Sequence, residues 1–142
     1  MPDEFKPIPT AEAWQLSNAP VFAMTPLLAS LELFEEAGME RLREKSIKLT
    51  GYMEFVINEV RESTGVPLKV LTPNDPEKRG AQLSMVVPKV GKKVFDILTE
   101  NGVIADWREP DVIRMAPVPL YNNFEDIYRF GKILESSLKG VS

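Results

Sequence analysis

The spacing of apolar and polar positions divides the chain into an irregular opening and a regular remainder. Pro2, Pro7, Pro9 and Pro20 interrupt any helical pattern in the first twenty residues, so that segment reads as a connector or arm. Thr25-Pro26 fits an N-cap followed by proline at the first helical position, and Leu27, Leu28, Leu31 and Phe34 make an apolar stripe ending near Gly38. Met39, Leu42, Ser46, Leu49, Met53, Val56 and Val60 then recur at steps of three and four, which predicts a longer helix. Ser63-Thr64-Gly65 with Pro67 stops it.

Beyond Pro67 the period shortens. Leu68 to Leu71 and Gln82 to Val87 read as strands separated by the turn-rich Thr72 to Pro76. Helical spacing returns at Val94, Phe95 and Leu98 and ends at Asn101-Gly102. Val103 to Trp107 and Val112 to Ala116 read as antiparallel strands joined through Glu109-Pro110-Asp111. A last helix is expected from Asn122, with Asn122 and Glu125 at capping-box spacing and a face of Phe124, Ile127, Tyr128, Gly131, Leu134 and Leu138. The helix stripes, Trp107 and the methionines are the expected core. The order α-α-β-β-α-β-β-α predicts an α+β fold, a small mixed or antiparallel sheet with helices packed on one face. The piece from Gln82 to Trp107 should cross over right-handed. The expected organisation is an arm or connector over 1–24 and a domain over 25–142.

Composition narrows the chemistry. The 142 residues suit one domain and leave no room for separate cofactor and substrate domains. With no histidine or cysteine, the chain has no imidazole base, thiol nucleophile or ordinary zinc site. Net charge is −4; seven basic and eleven acidic residues precede Leu71 and ten of each follow. Neither half offers a basic face for nucleic acid. No apolar run suggests a membrane span, and the opening residues do not read as a secretion signal, so a cytoplasmic protein is expected. Gly91-Lys92-Lys93 lacks the upstream glycine of a phosphate loop and reads as a solvated helix start.

Two places hold candidate chemistry. Strand period puts Arg114 on one face with Val112 and Ala116, and Ile113 and Met115 on the other. An arginine in so apolar a strand is either an edge-strand residue paired with a protein acid or a fork of donors for a ligand carboxylate, where Pro117-Val118-Pro119 opens space. Asn18, with Ser17 beside it, either satisfies local backbone groups or reaches a ligand.

The stretches Gln15 to Pro20, Ala29 to Met39, Lys45 to Tyr52, Arg79 to Ser84 and above all Asp106 to Asn122 together resemble the C-terminal part of kynureninases. That resemblance implies the small domain of a homodimeric enzyme with the aspartate-aminotransferase fold. Such enzymes use pyridoxal phosphate to hydrolyse kynurenine, or 3-hydroxykynurenine, to anthranilate, or 3-hydroxyanthranilate, and alanine, in tryptophan catabolism and NAD synthesis. It implies that Arg114 grips the substrate α-carboxylate, and that Asn18, with Ser17 as a weaker neighbour, reaches the cofactor phosphate across the dimer. The Ala19-Pro20 pair departs from the Pro-Pro common in the family. It further implies that the cofactor lysine lies in a large domain upstream, that the arm over 1–24 leads from that domain, and that this chain alone is inert and holds no cofactor. Its implied partners are the large domain, a second subunit and the substrate. A different possibility is a free-standing α+β module that binds a small acidic ligand or a partner protein through the Arg114 strand.

Overall fold

Helix α2, Met39–Thr64, is the organising element; Leu42, Ser46, Leu49, Met53 and Val60 are buried on the predicted stripe, while Thr50 and Ile57 join them and Ile57 takes the fully buried place expected of Val56, which is only partly buried. It starts after Gly38 and stops at Gly65, both with positive φ. The computed structural model describes residues 4, 6–15 and 17–141. Expectations falling on Met1, Pro2, Asp3 and Leu16 lie outside these.

The chain divides into two compact units, Met1–Ala37 and Gly38–Ser142, whereas the spacing alone suggests a boundary after residue 24. In the first unit a short 3-10 turn at Ala11–Trp14 precedes helix α1, Val21–Ala37. The helix starts four residues before the expected cap. Pro20 carbonyl accepts the N–H groups of Ala23 and Met24, so a turn is already formed, and Pro26 lies inside the helix while Thr25 Oγ1 donates to the Val21 carbonyl. No residue of α1 is buried: Leu27, Leu28, Leu31 and Phe34 are exposed and form no core, and Met24 in α1 and Met39 in α2 are exposed as well.

In the second unit strands β1 (Lys69–Val70), β2 (Leu83–Val86), β3 (Asp106–Arg108) and β4 (Val112–Met115) form one sheet in the order β1-β2-β4-β3. All neighbouring pairs are antiparallel, which settles the expected mixed or antiparallel sheet as antiparallel. Strands β2 and β3, joined through helix α3 (Gly91–Glu100), run the same way with β4 between them. The expected strand from Val103 shrinks to β3 because Val103 donates to the Leu98 carbonyl and continues the end of α3 instead.

Helix α4, Phe124–Lys139, is capped by Asn123 with Asp126 in a reciprocal capping box, one residue later than the Asn122–Glu125 pair. Asn122 is occupied elsewhere, accepting the Val118 N–H. Phe124 and Tyr128 are exposed, and Phe130 takes a place on the buried face. One core joins Leu49, Met53 and Ile57 of α2, Leu83 and Met85 of β2, Val94 and Leu98 of α3, Ile113 and Met115 of β4, and Leu134 and Leu138 of α4. Trp107 packs half-buried at its margin against Phe95. The three helices of this unit therefore lie on one face of the sheet, and the other face carries Ser84, Arg114 and Asp106.

Candidate functional site

The site grows out of strand register. In β4 burial alternates, with Ile113 and Met115 in the core and Val112 and Arg114 on the opposite face, as a period of two requires. β4 is not an edge strand: it lies between β2 and β3, so Arg114 has a neighbour on each side, Ser84 on β2 and Asp106 on β3. An arginine in an internal strand of an antiparallel sheet is tolerated when that face is open to water or a ligand. Arg114 remains 31 % exposed.

Asp106 takes up part of the guanidinium. Arg114 Nε donates to Asp106 Oδ2 at 2.6 Å and Nη2 donates to the same oxygen, while Arg108 Nε reaches it at 2.9 Å. The Arg114 hydrogen bonds, joined by the Arg108 charge, outweigh partial desolvation and hold the Asp106 carboxyl below its ordinary value. Pairing with a protein acid is thus present. Yet Nη1 of Arg114 makes no hydrogen bond among the described residues, so one edge of the guanidinium stays open. Chemically this is a cationic fork on a half-exposed sheet face, suited to a planar anion such as a carboxylate.

An open cavity of about 520 Å³ lies at the end of β4, lined by Met53, Met115, Pro117, Tyr121, Asn122 and Ile127 among others, but not by Arg114. β4 ends at Met115, and the space at Pro117 lies on the side of the α2 and α4 helices rather than against Arg114, where the sequence pattern predicts it. Lys45 Nζ holds this loop by donating to the Pro119 carbonyl at 2.7 Å.

Ser17 and Asn18 belong to the first unit, in a bend before α1. Both are exposed, and their side chains make no hydrogen bond with a described residue. The local backbone contact considered for Asn18 is therefore not formed among these residues. An amide and a hydroxyl fit phosphate oxygens by the chemistry of their donors.

Asp106 carries no assigned role in the one-dimensional pattern, although it stands in the most specific stretch. A hairpin symmetric about Pro110 pairs 108 with 112, 107 with 113 and 106 with 114, and that count would have brought it to Arg114. Arg79 is a second unforeseen residue: its side chain is 3 % exposed, with Nη1 on Glu54 Oε2 at 2.5 Å and on the Pro73 carbonyl. It ties the loop before β2 to α2 and has a structural role there.

The family model described as kynureninase C-terminal domain matches residues 42–134. Curated kynureninases are similar across almost the whole chain. That of Christiangramia forsetii is 51 % identical over 138 residues, covering 97 % of this chain and 32 % of the relative. That of Flavobacterium johnsoniae is 46 % identical over 140 residues, covering 99 % and 33 %. That of Xanthomonas campestris pv. campestris is 51 % identical over 141 residues, covering 96 % and 32 %. The chain spans about a third of the length of these relatives. With the Arg114 strand and the α+β architecture inside the matched region, the chain belongs to the kynureninase family, in the part that forms its C-terminal domain.

Proposed function

We propose that this chain is the small domain of a pyridoxal-phosphate-dependent enzyme that hydrolyses L-kynurenine, or its 3-hydroxy form, to anthranilate, or 3-hydroxyanthranilate, and L-alanine. The observation that carries this reading is the open edge of Arg114, on an internal strand and already oriented by a neighbouring acid. Its part is to bind: two aligned N–H groups take the substrate α-carboxylate and fix the amino acid so that the bond to be broken faces the cofactor. Ser17 and Asn18 fit contacts to the cofactor phosphate, reached across a homodimer. When bound, the cofactor supplies an electron sink for the cleavage. The lysine that anchors it, and most of the residues around it, belong to the remaining two thirds of the polypeptide, which is also the partner suited to cover the exposed apolar side chains of α1. The isolated chain is accordingly inactive.

The test is Arg114→Lys in the full-length enzyme. A lysine places one point charge where the fork placed two parallel donors, so KM for kynurenine should rise at least about tenfold while cofactor absorbance is retained. An unchanged KM would remove Arg114 from the site.

A further inference from the structure

A carboxylate clamp gains affinity when its guanidinium is turned the right way before the ligand arrives. Arg114 has a long side chain on a half-exposed sheet face, and nothing in its own strand sets its rotation. Asp106, directly opposite in the ladder, does. Nε and Nη2, the two nitrogens along one edge of the guanidinium, both end on Asp106 Oδ2. The second edge, formed by Nη1 and the remaining Nη2 hydrogen, is turned away from Asp106. That edge has the two parallel N–H groups a bidentate carboxylate needs.

Charge completes the case. An Arg114–Asp106 pair alone is neutral and offers an anion little attraction. Arg108 Nε donates to the same Asp106 oxygen at 2.9 Å, so two guanidinium groups share one carboxylate and the cluster carries a net positive charge. Ser84, the other cross-strand neighbour, adds no competing carboxylate. We propose that Asp106 is the positioning residue of the Arg114 clamp and that Arg108 keeps the cluster cationic, so that the open guanidinium edge is presented to the α-carboxylate of the amino-acid substrate. This rests on the reading of Arg114 as the carboxylate clamp.

The experiment is steady-state kinetics of the full-length enzyme with kynurenine, with melting temperature and cofactor absorbance as checks on folding. Asp106→Ala should raise KM about tenfold with a smaller fall in kcat, because a loosened fork weakens binding before it alters chemistry. Asp106→Asn should recover part of that loss, since both Arg114 donors converge on one oxygen and an amide oxygen still accepts them, though more weakly than a carboxylate. In the Arg114→Lys background, Asp106→Ala should add less than about a twofold change, because the two residues act as a unit. Should the alanine variant fail to fold, Asp106→Ser also removes the carboxylate and keeps only a short hydroxyl.

The proposal is overturned if folded, cofactor-loaded Asp106→Ala keeps its KM while Arg114→Lys loses it, or if Asp106→Asn is no better than Asp106→Ala. Unchanged kinetics in both Arg114→Lys and Asp106→Ala would instead sink the clamp reading beneath it. A purely structural Asp106 would lower the melting temperature without moving KM.

Discussion

Arg114 occupies a strand whose alternate residues, Ile113 and Met115, are buried, and its own face was legible from that alternation alone. Its partner follows only when the hairpin is centred on Pro110, a register that strand period alone does not fix. The position of β4 inside the sheet was equally hidden, since strand order is a property of three-dimensional packing. The same scale governs the response to acid. Asp106 is held below its ordinary value by hydrogen bonds from Arg114, Asp126 by the backbone N–H of Asn123 and the Asn122 amide, and Glu135 by Lys139. A carboxyl whose pKa is lower folded than unfolded contributes stability that is present above its unfolded value, 3.8 for Asp and 4.5 for Glu, and lost as pH falls through the folded one. Stability should therefore fall as the pH drops below about 5. Asp126→Asn keeps an acceptor oxygen but removes the ionisation, so its melting temperature should lie below that of the parent at neutral pH and approach it in acid. Parallel curves from neutral to acid pH would show that Asp126 carries none of the linkage.

Among the elements, α2 is legible nearly throughout, because its apolar steps are long and Gly65, with φ of 67°, ends it as a left-handed cap, although Ile57 rather than Val56 is fully buried. The starts of α1 and α4 are ambiguous in the sequence, because two local signals compete at each. Thr25-Pro26 resembles a cap, but the turn at Pro20 begins the helix first. Asn122 and Asn123 both have an acid three residues on, and the choice falls to Asn123 because Asn122 is spent on the Val118 N–H. Contact between helices also decides a residue the stripe identified only as apolar-facing. A Cβ at Gly131 of α4 would overlap Val56 Cγ1 on α2, and a valine in a helix has one strongly preferred rotamer, so it yields poorly. Gly131→Ala gains about 1 kcal/mol of helix propensity. Overpacking costs typically about 1–3 kcal/mol, so a net loss of roughly 1 kcal/mol is expected in denaturant unfolding. Adding Val56→Ala should relieve the overlap beyond what independent effects allow. A single Gly131→Ala variant more stable than the parent would contradict this contact.

At the scale of the molecule, length was the most informative number. A chain of 142 residues is too short for a two-domain cofactor enzyme, and its kynureninase relatives are about three times longer. The fold class followed from the order of periods along the chain, whereas the exposure of α1 did not. An amphipathic stripe records that a helix has an apolar partner, not which segment provides it. The second unit closes its own core around α2, the sheet, α3 and α4, while α1 leaves Phe22, Leu28 and Leu33 exposed. No helix of the described residues is long and apolar enough to cross a membrane. The second unit thus folds around its own core, and under the proposed function Arg114 lends a carboxylate grip to a site that other residues complete. The most direct measurement is the fluorescence of anthranilate released from L-kynurenine, with pyridoxal phosphate present, by the full-length protein and by the 142-residue chain. Release by the full-length protein and none by the chain alone is the predicted result. Release by the chain alone, or none by a cofactor-loaded full-length protein, would contradict the account.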